Sequence, residues 1–138
     1  MASSIFLDTN GWVALLNRND SMHVQANEAW ARVVRGRHSL ILTDWIVAET
    51  GNGLARAKDK ARLAEAFDRV LQVPRNELVI VEESLLREAM ALFCHHADKT
   101  WGLVDCASFV VMRDRGIAEA FTSDHDFEQA GFKCLLSV

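Results

Sequence analysis

A chain of 138 residues with formal net charge -4 is long enough for a full hydrophobic core and too acidic to attract nucleic acid by bulk charge. Half of it is apolar, and seven Gly with a single Pro exclude linker-like or low-complexity composition. No apolar run approaches the ~18 residues of a membrane span, and the N-terminus lacks the basic region of a signal peptide.

Ile5-Phe6-Leu7 is uniformly apolar and stops at Asp8, which predicts a buried strand delivering one carboxylate to a sheet edge. Thr9-Asn10-Gly11 reads as a turn, and Trp12, Val13, Leu15 and Leu16 begin a short helix. Residues 17–20 break it, and Ser21 reads as the N-cap of the next helix. There Met22, Ala26, Ala29, Trp30, Val33 and Val34 form one apolar face that Gly36 ends. Residues 40–43 predict a second strand. Asp44 reads as the cap of a helix through Trp45, Ile46, Glu49 and Leu54.

A further helix carries Leu63, Ala66, Phe67, Val70 and Leu71. Beyond Pro74 and Asn76, residues 78–81 predict a third strand. A helix from Glu83 or Ser84 follows, with Leu85, Ala89, Leu92, Phe93 and His96 on one face. After a polar connection, Leu103, Ala107, Val110 and Val111 mark a helix that stops at Gly116. Residues 118–122 read as a fourth strand, 123–126 as a loop leading toward a short helical turn, and 132–136 as a fifth strand. Apolar strands alternating with helices predict an α/β fold: three layers, with a mostly parallel five-stranded sheet flanked by helices, as one domain over residues 1–138.

In such sheets ligands sit beyond the carboxyl ends of the strands, where strand order reverses. Asp8 follows strand one and Asp124 follows strand four, so the two face one crevice if those strands are neighbours. Glu49 lies about one turn into the helix after strand two. Asp105 lies in the first turn of a late helix, where the helix dipole favours an acid. Taken singly, each acid has a structural reading as a cap or dipole partner. Taken together, converging carboxylates repel one another, and a divalent cation removes that cost. Oxygen-only ligands suit Mg²⁺ or Mn²⁺, and no Cys or His stands at the spacing zinc requires.

Arg56, Lys58, Lys60 and Arg62 form the one basic concentration, read either as a solvated loop or as phosphate-positioning residues of a nucleic-acid-binding surface. Cys94, Cys106 and Cys134 fit no zinc or redox motif and read as buried thiols of a cytoplasmic protein.

Four segments together resemble the PIN domain. They are Asp8-Thr9-Asn10 after the first strand, Glu49 after the second, Leu103-Val104-Asp105-Cys106 opening a late helix, and Thr122-Ser123-Asp124-His125-Asp126-Phe127 after the fourth. The tail through Gly131-Phe132 is similar to VapC-type toxins. The resemblance implies a Mg²⁺- or Mn²⁺-dependent endoribonuclease acting on an RNA substrate, paired with an antitoxin protein and forming a homodimer. It assigns the acidic quartet to Asp8, Glu49, Asp105 and Asp124 as catalytic and metal-binding residues. Thr9 and Thr122 would support them by hydrogen bonding, and Asp126 is a fifth acid. Gly102 departs from the pattern, because relatives often carry Ser or Thr there; as a cap, Gly costs only a few tenths of a kcal/mol relative to Ser.

Three other readings compete. A phosphoacceptor receiver would need an acid in the loop ending strand three and a Lys after a late strand. Val81 instead leads into Glu82-Glu83 and a helix, and no Lys follows strand four. A noncatalytic interaction module would keep the fold without needing all four acids. A stand-alone RNA-processing nuclease would act without an antitoxin.

Overall fold

The computed structural model describes residues 2–136. Its five strands are β1 (Ser4–Leu7), β2 (Ser39–Thr43), β3 (Glu77–Val79), β4 (Glu119–Phe121) and β5 (Lys133–Cys134). The helices among the described residues are α1 (Thr9–Leu16), α2 (His23–Arg35), α3 (Asp44–Leu54), α4 (Arg62–Gln72), α5 (Glu83–His95), α6 (Leu103–Arg115) and α7 (His125–Gln129). The strands lie in the order β3-β2-β1-β4-β5, and every ladder is parallel. That order differs from the 2-1-3-4-5 of receiver-type sheets, which removes the receiver reading on topology.

β1 is the central strand, and Ile5, Phe6 and Leu7 are buried on both faces. It pairs with β2 through Ile5↔Leu40 and with β4 through Leu7↔Phe121. The chain walks outward from β1 through β2 to β3, then returns to the other side of β1 for β4 and β5. The reversal therefore falls between β1 and β4, with Asp8 and Asp124 just beyond their carboxyl ends. α1 packs on α2 and α3, whereas α5 packs on α6. α6 is the most deeply set helix: Cys106 through Met112 are all buried, and Gly116 ends it at φ 66°, a conformation favoured by glycine.

Several local expectations change. Thr9-Asn10-Gly11 is no turn: Asp8 is the N-cap, and these residues form the first turn of α1. A Cβ on Gly11 would lie 2.6 Å from Cδ1 of Phe121 and closer still to its carbonyl oxygen, so glycine is what lets α1 sit against β4. Thr43, not Asp44, caps α3, its Oγ1 accepting the Ile46 N–H at 3.2 Å. Asp44 instead accepts the Val81 N–H at 2.8 Å, beyond the end of β3. α2 starts after Met22 rather than Ser21; Asp20 has already taken the Met22 N–H at 2.8 Å. β3 stops at Val79, and Ile80 is 52 % exposed at the sheet's margin. β5 is likewise shorter than residues 132–136. His125 and Asp126 belong to α7 and not to a loop. Cys94 is exposed, so only Cys106 and, in part, Cys134 are the buried thiols expected.

Candidate active site

The parallel pairing of β1 and β4 sets two N-caps side by side. Asp8 stands at the N-cap position of α1 with its carboxylate turned to other partners, and Asp124 caps α7 through its side chain. Between them runs a short hydrogen-bond relay. Thr122 Oγ1 donates to Asp8 Oδ2 at 2.8 Å and accepts the Asp124 N–H at 3.1 Å. Asp124 Oδ1 accepts the Asp126 N–H at 2.9 Å, the bond expected of an N-cap aspartate. The Cys134 thiol donates to the Asp124 carbonyl at 3.3 Å, which ties this loop to β5.

Asp105 approaches from α6. Its carboxylate accepts the Gly102 N–H at 3.1 Å, so the acid secures the helix start that glycine's missing side chain cannot. Carboxylate oxygens of Asp105, Asp124 and Asp126 lie within 4.8 Å of one another. Asp8 sits deeper, 3 % exposed. Glu49 is half-buried on α3, and its charge acts on Asp105.

The electrostatics follow from this crowding. Burial pushes the Asp8 carboxyl up to about 7; the charges of Asp105 and Asp124 add to the push, against the Thr122 hydrogen bond. Burial likewise raises Asp105 to about 6, helped by Asp124, Asp126 and Glu49 and opposed by the Gly102 N–H. Asp126 is raised by burial and then by Asp124. A site of this kind binds positive charge. Its donors are all oxygens, held close and partly desolvated, which fits a hard divalent cation.

The supporting residues divide. Thr122 is fully buried and bonded to Asp8. Thr9 assists Asp8 through its backbone N–H, whereas its buried hydroxyl has no partner among the described residues. Asp126 belongs with the acids more closely than its place in the sequence suggested, because the N-cap turn sets it beside Asp124. Arg56, Lys58 and Lys60 are exposed between α3 and α4. Arg62 opens α4 and donates to the Leu16 carbonyl at 2.8 Å, a structural contact at the far end of α1. Trp101 is 8 % exposed and packs edge-on against Phe109 in the core.

Missing from the sequence reading was Asn10. Its Oδ1 accepts the Ser123 N–H at 2.8 Å and the Ser123 hydroxyl at 3.0 Å. Only its position two residues after Asp8 could have signalled this, and that position predicts no partner 113 residues away.

Known proteins resemble this chain over nearly its whole length. The 23S rRNA-specific endonuclease VapC20, from two strains of Mycobacterium tuberculosis, is 35% identical over 130 residues, covering 93% of this chain and 95% of the relative. The crystal structure of Mycobacterium tuberculosis VapC20, described as a sarcin-ricin loop cleaving toxin, superimposes with TM-score 0.79 at 30% identity. That match covers 94% of this chain and 96% of the other. The PIN domain profile matches residues 5–133, from the strand that carries Asp8 through the one that carries Cys134. With all five acids inside that span, the chain belongs to the PIN domain family.

Proposed function

We propose that this protein is a metal-dependent endoribonuclease, the toxin of a toxin–antitoxin pair, with Asp8, Glu49, Asp105 and Asp124 as its catalytic and metal-binding acids. The observation that carries the reading is the meeting of Asp105, Asp124 and Asp126 beside a buried Asp8. Asp8, Asp105 and Asp124 would hold Mg²⁺ or Mn²⁺, with the Asp126 carboxylate close enough to Asp105 and Asp124 to join them. When bound, such an ion activates water and neutralises the charge that develops on the phosphate and the leaving oxygen.

The chain's own residues do the rest. Thr122 fixes the Asp8 carboxylate through its hydroxyl, and Thr9 assists through its backbone N–H. Glu49 orients the attacking water from α3. Arg56, Lys58 and Lys60 position phosphates away from the cut, since Arg62 marks the far end of an eight-residue helix that spans about 12 Å. Contacts of this kind fix register without reading bases. The whole described fold acts as one nuclease domain, working on RNA in the cytoplasm.

The relative's printed substrate makes 23S rRNA the first RNA to test here. Solvent-exposed apolar side chains support protein partners, an antitoxin and a second copy of the chain. Met90 and Phe93 share one face of α5, and Val24 and Val34 stand out from α2. Among the described residues no helix is long and apolar enough to cross a membrane.

The test uses purified protein and a ribosomal RNA fragment. Cleavage is expected to stop on chelation and to return with Mg²⁺ or Mn²⁺. Undiminished cleavage after exhaustive chelation, or cleavage at the wild-type rate by a folded Asp105→Asn variant, would overturn the reading.

A further inference from the structure

We infer that Asn10 is a positioning residue that presets the distance between Asp8 and Asp124; this rests on the metal-site reading above. The two acids sit on different elements, and neither touches the other through its own backbone. What joins them is the segment from Thr122 to Asp124, gripped by the first turn of α1. Thr122 is bonded to Asp8, and Ser123 is bonded to Asn10 by both its N–H and its hydroxyl.

The orientation of the Asn10 amide is fixed by chemistry. The Ser123 N–H can only donate, so the atom facing it at 2.8 Å is the amide oxygen. Thr122 Oγ1 also lies 3.2 Å from this oxygen, but it has one proton. The buried carboxylate of Asp8, at 2.8 Å, is the stronger acceptor and takes it. Asn10 therefore holds Ser123 and leaves Thr122 free to serve Asp8. All three residues of the segment are thereby pinned: 122 to Asp8, 123 to Asn10, and 124 to the Thr122 hydroxyl.

The neutrality of Asn10 also matters. An aspartate would accept the same two bonds but would add a further charge to a cluster already crowded with carboxylates. An amide grips the loop without deepening the repulsion that the cation must relieve. The role is thus distinct from that of the acids: Asn10 leaves the donor set unchanged and fixes its spacing before any ion arrives.

The test is calorimetric titration of the apo-protein with Mn²⁺ alone, combined with amide hydrogen exchange. In the wild type the Ser123 amide is expected to be protected. In Asn10→Ala that protection is lost, and Mn²⁺ binding weakens on the order of tenfold, as expected for about one lost hydrogen bond's worth of preorganisation. Asn10→Asp keeps the acceptor, so Ser123 protection and tight Mn²⁺ binding are expected to survive, while its added charge lowers the melting point of the apo-protein near neutral pH.

An unprotected Ser123 amide in the wild type overturns the inference, whether or not the alanine variant folds. So does a folded Asn10→Ala variant that binds Mn²⁺ as the wild type does. Asp8→Asn in the same titration separates the two readings. If it binds Mn²⁺ normally, the metal-site assignment fails. If it loses binding while Asn10→Ala does not, only the role of Asn10 fails.

Discussion

The Thr122 hydroxyl donates to the Asp8 carboxylate at 2.8 Å, a bond between residues 114 positions apart that meets only because β4 lies beside β1. Thr122→Val keeps the shape and removes the donor. Asp8 then loses the one interaction that most favours its anion, so its pKa rises further above 7. Protons then compete better for the site, so the pH at which the apo-protein takes up Mn²⁺ is expected to move higher, with Mn²⁺ affinity at neutral pH down about tenfold. A pH profile of Mn²⁺ uptake superimposable on the wild type would show that the bond does not tune Asp8.

The raised acids also predict how stability depends on pH. Asp8 at about 7 and Asp105 at about 6 both lie above the ordinary 3.8, so the folded state prefers them protonated. Their contribution is fully present below about pH 4 and is lost as pH rises toward neutrality. The apo-protein should therefore lose stability between about pH 4 and pH 7, by several kcal/mol. Asp8→Asn removes most of that slope, and its apo form is expected to melt several degrees higher than the wild type near neutral pH. Mn²⁺ should raise the wild-type melting point and leave Asp8→Asn nearly unmoved. Thermal melts over a pH series, with and without Mn²⁺, check both points.

Gly11 carries a packing prediction. Its α-hydrogen faces the Phe121 carbonyl, and a methyl group there would collide with the backbone of β4. Gly11→Ala must push α1 away from β4, and with it Asp8 away from Asp124. A loss of a few kcal/mol, of the order seen for overpacked cores, is expected together with near-complete loss of cleavage. Denaturant unfolding and an RNA cleavage assay measure the two effects.

The basic loop is expected to act on binding and not on chemistry. Lys58 and Lys60 are exposed and flank Asp59, whose carboxylate accepts the Arg18 N–H just beyond the C-terminal end of α1. Reversing both to Glu should weaken RNA binding several-fold at low salt, with the difference shrinking as salt rises, while kcat changes little. Arg62→Ala should behave differently: it breaks a hydrogen bond to Leu16 and costs about 1 kcal/mol of stability. Binding isotherms over a salt series, alongside melts, distinguish the two classes.

The features legible in the sequence were those written in short-range pattern. Apolar strands ending in acids placed Asp8 and Asp124 at the sheet edge, and a late Leu-x-Asp placed Asp105 in the first turn of α6. What stayed hidden depends on contacts between distant elements. Gly11 looked like a turn residue because its reason for being glycine lies on β4. Asp44 looked like a cap because nothing local shows that Thr43 reaches the Ile46 N–H first, or that Val81 needs an acceptor. Asn10 was read as part of a motif with no role of its own, since its partner is Ser123. Asp126 gained weight only once α7 turned it toward Asp124 and Asp105.

Under the proposed function, the carboxylates meeting beyond β1 and β4 cut RNA. Sequencing of RNA ends in cells expressing either the wild type or Asp8→Asn tests it most directly, once circular dichroism has established that the variant is folded. New ends at defined positions are expected with the wild type, and none of them with Asp8→Asn. The same cuts at the same abundance with both proteins would contradict it.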